Sequence, residues 1–218
     1  MPKAPKGLLF DLDGTLLDTA HDLGNTLNYL LQAHGLEQKS YAEYSPFASH
    51  GAKGLLELGF NNIPEEEFTQ LREEFLAHYA QNICIHTVLY EGVSEVIEYC
   101  QKHQIPWGIV TNKPGFLTTP LLTYFPVLAS AQSVISADTL PQRKPHPQPL
   151  LFAAQQLQVE PNDIWYIGDA ERDMQAANSA NMFSVLATYG YIHTDDQIEQ
   201  WHAQLHINKI VDILDYIK

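Results

Sequence analysis

The sequence predicts an α/β protein, with a Rossmann-like, doubly wound parallel sheet and a helical segment inserted after the first strand. Three observations lead to this prediction. Strands and helices alternate after Tyr90, which is typical of a parallel sheet with right-handed crossovers. The apolar run GLLF before Asp11 reads as a buried strand. Between them, roughly sixty residues show helical spacing and no strand pattern.

The first strand, GLLFDLD, ends at two aspartates, and the inserted segment follows it. Apolar residues recur at helical spacing in LGNTLNYLLQAHGL and in EEEFTQLREEFLAHYAQNI. A turn at Asn61-Asn62 precedes the second of these helices, whose acidic first turn suits the helix dipole. The predicted domains are a core formed by residues 1–18 and 87–218 and a helical insertion formed by residues 19–86.

The remaining elements alternate along the second half of the chain. Helices are predicted at EGVSEVIEYCQKHQ, GFLTTPLLTYF, PHPQPLLFAAQQLQ and AERDMQAANSAN, although Pro120 weakens the second. Strands are predicted at PWGIVTNK, SVISAD, DIWYIGD, MFSVLAT and, last and shortest, INKIV. This alternation places helices on both faces of the sheet.

The amino-acid composition limits the classes of partner and site that the protein can have. The 12 basic and 26 acidic residues give a formal charge of −14, which argues against nucleic acid or an anionic membrane as partner. The two cysteines exclude a disulfide framework and disfavour a thiolate zinc site. We see neither a signal peptide nor a membrane span, and we expect a cytoplasmic protein. A monomer and a homodimer both fit.

Polar residues stand at the predicted carboxyl ends of several strands, where open α/β sheets bind their ligands. The residues at these ends and in the connection after the SVISAD strand are Asp11, Asp13, Thr111, Asn112, Lys144, Asp169 and Asp173. Each has a structural explanation of its own, as a turn, a helix cap or a solvated loop lysine. Their shared location favours a single site.

The residue types indicate phosphoryl transfer. Carboxylates gathered at a sheet edge suit Mg²⁺, which prefers hard oxygen ligands. A carboxylate can attack phosphorus and form an aspartyl phosphate. A second carboxylate, returning to the same face of an extended chain, can handle the proton of the leaving group. Lys144 would add a fixed cation, and Thr111 would bind phosphate oxygens. The expected partner is a small phosphorylated metabolite.

These motifs resemble the haloacid dehalogenase-like superfamily, and in particular its phosphatases. DLDGT resembles the first motif, which implies that Asp11 is the nucleophile and Asp13 the general acid/base. The TN of IVTNK resembles the second, with Thr111 and Asn112 at the phosphate. KPHP resembles the third, with Lys144 stabilising nucleophile and phosphoryl group. Dehalogenases lack the second aspartate, so Asp13 points to phosphoryl transfer.

The fourth motif, GDAERD, completes the implied metal site. By this resemblance Asp169 and Asp11 are carboxylate ligands of Mg²⁺, and Asp13 adds its backbone carbonyl. Asp173 is expected to orient Lys144 or a metal-bound water. The helical insertion matches the cap that these enzymes place after the first strand, and such caps close over small substrates.

Two groups of the superfamily share further segments with this chain. DLDGTLLDTAHDL, TNKP and KPHPQPLL look like bacterial phosphoglycolate phosphatases. The N-acetylmuramate 6-phosphate phosphatases of cell-wall recycling share a segment like SHGAK and the stretch YGYIH at 189–193. In either case His50, Gly51 and Lys53 are the candidate specificity residues of the cap, although a plain connecting loop is the alternative.

Three functions remain open from the sequence. The first is a Mg²⁺-dependent phosphomonoesterase. The second is a sugar phosphomutase, which differs in how well water is kept from the aspartyl phosphate. The third is a non-catalytic binding protein, against which the complete set of Asp11, Asp13, Lys144 and Asp169 counts.

Overall fold

A computed structural model describes residues 3–60 and 63–217 of the chain. The strands in these residues are, in chain order, β1 (Gly7–Phe10), β2 (Leu17–Asp18), β3 (Val88–Leu89), β4 (Trp107–Val110), β5 (Ser133–Ile135), β6 (Ile164–Gly168), β7 (Phe183–Ala187) and β8 (Leu205–Ile207). The helices are α1 (Ala20–Ala33), α2 (Tyr41–Tyr44), α3 (Gly51–Gly59), α4 (Glu65–Gln81), α5 (Val93–Lys102), α6 (Gly115–Leu122), α7 (Gln148–Leu157), α8 (Glu171–Ser179) and α9 (Leu214–Ile217).

Six of the described strands form one parallel sheet in the order β5-β4-β1-β6-β7-β8. The chain builds one half outward from β1 and then returns to build the other half. The order therefore reverses beside β1, and this switch point is where a ligand crevice forms in such sheets. The predicted doubly wound α/β fold is confirmed.

The central strand β1 is buried on both faces because helices cover both sides of the sheet. Leu8 and Phe10 belong to the larger apolar cluster, which continues into the helical insertion. Leu9 points the other way, into a second cluster that includes residues of α7 and α8. Side chains alternate along a strand, so a strand between two layers must be apolar throughout.

The insertion consists of α1 to α4, and the short antiparallel pair of β2 and β3 flanks it. The predicted helices at α1 and α4 are confirmed, and so is α6, despite Pro120 in its interior. Asn61 and Asn62, predicted as a turn, lie outside the described residues. Among the helices that are described, none is long and apolar enough to cross a membrane.

The structure corrects two sequence predictions. The last strand is Leu205–Ile207, not INKIV, because Ile210–Ile213 forms a 3₁₀ helix instead. The chain is also not extended through Asp13, since β1 ends at Phe10. A tight turn follows, in which the Leu16 and Leu17 N–H groups both donate to the Leu12 carbonyl. Asp13 therefore lies in this turn and not in a continuing strand.

Candidate active site

The carboxyl ends of three adjacent strands carry polar residues that the motifs predicted. Asp11 follows β1, Thr111 follows β4, and Asp169 follows β6. These strands are neighbours at the switch point, so their ends meet. Lys144, from the connection between β5 and α7, reaches the same place. Separate parts of the sequence thus form one site.

Asp11 is buried and fixed through one of its two oxygens. The Lys144 ammonium lies 2.9 Å from Asp11 Oδ1, and the Leu12 N–H donates to the same oxygen at 2.7 Å. Burial raises the pKa of Asp11 to about 6, although the Lys144 charge opposes this shift. Within the described residues no donor contacts Oδ2, which leaves that oxygen open to a ligand.

Lys144 has a fully buried side chain surrounded by acceptors. Its Nζ lies 2.8 Å from Asp173 Oδ1 and donates to the Tyr166 hydroxyl and the Val110 carbonyl, each at 2.8 Å. Asn112 Nδ2 donates to the Lys144 carbonyl at 2.9 Å, and Asn112 Oδ1 accepts from the Lys144 N–H at 3.1 Å. The amide of Asn112 thus orients the lysine, and its contact with phosphate stays a prediction.

Asp11, Asp169 and Asp173 form a buried cluster in which one oxygen of each lies within 4.8 Å of the others. Burial and the two neighbouring carboxylates raise the pKa of Asp169 to about 7. Burial also opposes ionisation of Asp173, but Lys144 and Arg172 outweigh it and lower the pKa of that carboxyl. The cluster therefore carries more negative charge than its two cations balance.

Asp173 uses both carboxylate oxygens within the protein. Its Oδ1 accepts from the Tyr166 hydroxyl at 3.0 Å as well as from Lys144. Its Oδ2 accepts from the Ala170 N–H at 3.0 Å, at the start of α8. These contacts hold the Lys144 ammonium in place, and the role of Asp173 in the reaction stays a prediction.

The donor set fits a magnesium ion. Asp11 and Asp169 are hard oxygen donors, and burial, with the charge of neighbouring carboxylates, raises the pKa of each. Space near Asp169 is kept by Gly190, where an added Cβ would come within 2.3 Å of Asp169 Cβ. A divalent cation held by Asp11 and Asp169 would supply the missing positive charge.

This charge imbalance predicts a pH-dependent stabilisation by Mg²⁺. Folding raises the pKa of Asp11 and Asp169 from 3.8 to about 6 and about 7. The folded state then binds more protons than the unfolded state in this window, so without divalent cation stability falls as pH rises through it. Mg²⁺ replaces those protons, and at a concentration of about 100 times Kd we expect Tm to rise by roughly 5–10 °C near neutral pH.

Thermal melting with and without Mg²⁺, at pH values below and above this window, tests the expectation. The rise should shrink at the lower pH, where protons compete with the cation, and should vanish in Asp169→Asn. An equal rise in Asp169→Asn would place the cation elsewhere.

Asp13 follows Asp11 by two residues but has different partners. Its Oδ1 accepts from the Lys113 ammonium at 2.9 Å and from the Thr19 hydroxyl at 2.7 Å. Lys113 also donates to the hydroxyl of Tyr79, a residue of α4, at 3.0 Å. Thr111 is buried next to them, and its hydroxyl accepts from the Lys113 N–H at 3.1 Å. The two catalytic candidates Asp11 and Asp13 are therefore each paired with a lysine of their own.

Arg172 connects α8 to the helical insertion. Its Nη2 donates to the Ser49 carbonyl at 2.8 Å and to the Ser49 hydroxyl at 2.9 Å. Its charge also acts on the buried carboxylates, lowering the pKa of Asp173. Ser49 directly precedes the candidate specificity residues of the insertion, so this contact brings their segment towards the site.

His50, Gly51 and Lys53 lie in the insertion, directly after Ser49, the residue that Arg172 contacts. His50 lines a cavity of about 410 Å³ together with Phe47 and residues of α3, and burial lowers the pKa of its imidazole. Gly51 opens α3 with a φ of +59°, which favours glycine. The Lys53 side chain is 71% exposed and pairs with Glu57 at 3.7 Å. Their role in specificity stays a prediction.

The stretch at residues 189–193 contacts both Asp169 and the start of α1. The Tyr191 N–H donates to Asp169 Oδ2 at 2.9 Å. The Tyr191 hydroxyl accepts from the N–H groups of Thr19 and Ala20, at 2.6 and 2.9 Å, and donates to Asp18 at 2.9 Å. Tyr191 therefore holds both a predicted metal ligand and the start of α1, where the chain enters the insertion.

Sequence reasoning assigned no role to four residues that complete the site: Lys113, Tyr79, Tyr166 and Arg172. Lys113 and Arg172 stand inside quoted motifs, TNK and GDAERD, so their position was a usable signal. Tyr166 and Tyr79 lie within apolar patterns of a strand and a helix, where an aromatic residue reads as core. Only the three-dimensional structure shows that their hydroxyls accept hydrogen bonds from Lys113 and Lys144.

Comparison with known proteins agrees with this geometry. The family model described as haloacid dehalogenase-like hydrolase matches residues 8–187. A phosphoglycolate phosphatase of Xanthomonas campestris is 37% identical over 94% of this chain and 93% of its own length. An N-acetylmuramic acid 6-phosphate phosphatase of Pseudomonas aeruginosa is 32% identical over 96% of this chain and 95% of its own length.

Solved structures give the same result. A crystal structure from Haemophilus somnus, described as a predicted phosphoglycolate phosphatase, superposes with a TM-score of 0.87 at 29% identity and covers 98% of both chains. The resemblance inferred from the four motifs is confirmed, and so is the prediction of a phosphatase-type enzyme. The chain belongs to the haloacid dehalogenase-like hydrolase family.

Proposed function

We propose that the protein is a Mg²⁺-dependent phosphomonoester hydrolase that works through an aspartyl phosphate on Asp11. The observation that carries the proposal is the arrangement of two aspartates with separate lysines at one sheet edge. Lys144 fixes Asp11 Oδ1 and leaves Oδ2 free, while Lys113 holds Asp13. Such a pair can divide the reaction into attack on phosphorus and proton transfer.

In the first step, Asp11 Oδ2 attacks phosphorus and the bond to the ester oxygen breaks. The electron pair of that bond goes to the leaving oxygen, which takes a proton from Asp13. In the second step, Asp13 accepts a proton from water as the water attacks phosphorus. The bond from phosphorus to Asp11 breaks, so that phosphate leaves and the Asp11 carboxylate is restored.

The other residues stabilise charge during these steps. Lys144 and the hydroxyl of Thr111 would neutralise and bind phosphoryl oxygens. When bound, Mg²⁺ would supply further positive charge to those oxygens, held by Asp11, Asp169 and the backbone carbonyl of Asp13. Asp173 and Tyr166 keep the Lys144 ammonium aimed at Asp11 through the contacts at 2.8 Å.

For the substrate we propose a small phosphorylated metabolite, with 2-phosphoglycolate as first candidate. The relatives named as phosphoglycolate phosphatases support it, with 37% identity over nearly the whole chain. N-acetylmuramate 6-phosphate is the second candidate, supported by the relative from Pseudomonas aeruginosa and the cavity beside His50. A sugar phosphomutase activity is the alternative to hydrolysis, since its first chemical step is the same.

Phosphate release with Mg²⁺ from these two esters and from common hexose phosphates tests the proposal, with EDTA as control. Free phosphate that depends on the cation supports a phosphatase, and the preferred ester names its substrate. An isomeric sugar phosphate with little free phosphate would favour the mutase. No turnover of any ester would contradict the proposal.

The candidate specificity residues give a separate prediction. We expect His50→Ala to change the ratio of kcat/KM between the two candidate substrates by ~10-fold, because one pocket contact discriminates by about that much. Lys53→Ala should change it less, since Lys53 is largely exposed. Hydrolysis of p-nitrophenyl phosphate should stay near the wild-type rate in both. Equal losses on every ester would instead assign these residues to the fold or the catalytic core.

A further inference from the structure

We propose that Lys113 is a positioning residue for Asp13, and that Tyr79 of the helical insertion holds Lys113 in place. Together they fix one oxygen of the Asp13 carboxylate and present the other to the leaving group. The inference rests on the proposed function, in which Asp13 transfers the proton of the leaving group. Beyond that function, it states that the insertion acts on the proton-transfer group Asp13 through the side chain of Lys113.

The contacts around Asp13 are asymmetric. Lys113 Nζ and Thr19 Oγ1 both donate to Oδ1, at 2.9 and 2.7 Å. In the part of the chain that the structure describes, no donor contacts Oδ2. Two donors on one oxygen fix the rotation of the carboxylate, so the free oxygen has a defined direction. A proton-transfer group needs such a defined direction, because a displacement of about 1 Å can lower the rate by ~10²-fold.

Lys113 is built into the protein as a buried cation. Its side chain is only 5% exposed, and that of Asp13 is 16% exposed. Burial alone would lower the pKa of Lys113, but Asp13 and Tyr79 outweigh it and raise that pKa above its usual value. The Lys113 ammonium is held by two contacts, to Asp13 at 2.9 Å and to the Tyr79 hydroxyl at 3.0 Å, and its burial keeps it in that place beside Asp13.

Tyr79 brings the helical insertion into this arrangement. It is almost fully buried within α4, and its hydroxyl accepts from Lys113 at 3.0 Å. The Lys113 ammonium also lies 4.6 Å from the centre of the Tyr79 ring. Because α4 lies in the insertion and Lys113 follows the core strand β4, the orientation of Asp13 depends on how the insertion is seated.

The test uses two esters with different needs for a proton. The leaving group of 2-phosphoglycolate is an alkoxide, which requires protonation, whereas p-nitrophenolate leaves readily as an anion. The rate of the first step is measured as the burst of p-nitrophenolate for the aryl ester and as single-turnover decay of 2-phosphoglycolate with enzyme in excess. The variants are Lys113→Met, Lys113→Arg and Tyr79→Phe, with Lys102→Met on the exposed surface of α5 as control.

We expect Lys113→Met to slow hydrolysis of the alkyl ester by ~10- to 10²-fold, which is at or below the ~10²- to 10⁴-fold that general acid catalysis contributes, because Asp13 itself remains. The aryl burst should stay within about threefold of wild type, since it needs no proton from Asp13. Lys113→Arg should recover part of the loss, because it restores a cation next to Oδ1. Tyr79→Phe keeps the ring and removes only the hydroxyl, so its effect should be smaller with the same selectivity for the alkyl ester.

Two outcomes would overturn the inference. Equal losses on both esters would mean that Lys113 and Tyr79 only maintain the fold, and unchanged rates on both would mean that Asp13 needs no positioning. Asp13→Asn removes the proton-transfer group itself, so its loss of rate on the alkyl ester is the largest that a positioning variant can reach. Should the wild-type protein turn over neither ester, the proposed function itself fails and this inference with it. Tyr79→Phe remains informative if Lys113→Met does not fold.

Discussion

Replacing Asp11 by asparagine is expected to lower phosphate release by at least ~10³-fold, because in the proposed mechanism Asp11 is the nucleophile that forms the covalent intermediate. Asparagine has nearly the same shape, and its amide oxygen can still accept from Lys144 and from the Leu12 N–H at the positions that Oδ1 now occupies. The loss should therefore appear in kcat, with the fold maintained. Phosphate release and melting temperature measure the two effects separately.

Trapping the intermediate makes this prediction specific to Asp11. Acid-quenched wild-type protein incubated with a labelled ester should carry acid-stable, alkali-labile phosphate, and Asp11→Asn should carry none. Asp195→Asn is the matched control, because the Asp195 side chain is 89% exposed and pairs with the imidazole of His193. Wild-type turnover in Asp11→Asn would show that the nucleophile is another group.

Much of the site could be predicted because its residues follow buried strands in fixed order. The pattern of a short apolar run ending in a carboxylate identifies Asp11 and Asp169, since burying a carboxylate is costly unless a cation or a reaction compensates it. The order of the motifs along the chain then identifies Thr111 and Lys144. The positions follow from local sequence and the rule that parallel strands share one functional edge, and the roles rest on the resemblance of the motifs.

The partners of the two lysines could not be predicted in the same way. Tyr166 stands in the middle of a fully buried strand, and only the distance from its hydroxyl to Lys144 shows its polar role. Tyr79 is separated from Lys113 by 34 residues, so nothing in the local sequence of either residue indicates their contact. Long-range hydrogen bonds depend on how elements pack, which periodicity does not specify.

The misplaced last strand has a similar cause. INKIV is rich in β-branched residues and favours a strand, whereas LHI is too short to stand out. In the structure Asp212 Oδ2 accepts from the N–H groups of Asn208 and Lys209, at 3.0 and 2.9 Å. These side-chain contacts cap a 3₁₀ helix over Ile210–Ile213 and end the strand before it. Side-chain capping here outweighs intrinsic propensity.

Lys144→Met is expected to be the second most damaging substitution, and it acts on both stability and rate. Lys144 neutralises two fully buried carboxylates, at 2.9 Å from Asp11 and 2.8 Å from Asp173. Methionine is similar in length but uncharged, so both carboxylates would lose their partner, and breaking a buried pair costs ~3–5 kcal/mol. We also expect kcat to fall by ~10²-fold or more, because a preorganised charge at the phosphoryl group is lost.

A double variant separates these two effects. In Lys144→Met/Asp173→Asn, one of the two unpaired carboxylates is removed, so part of the stability should return in urea denaturation without divalent cation. Activity should stay as low as in Lys144→Met, because Asp11 and the phosphoryl group still lack the cation. Recovery of activity together with stability would show that Lys144 serves the fold alone. Arg172 or the bound cation would then be the group that stabilises charge at the phosphoryl group.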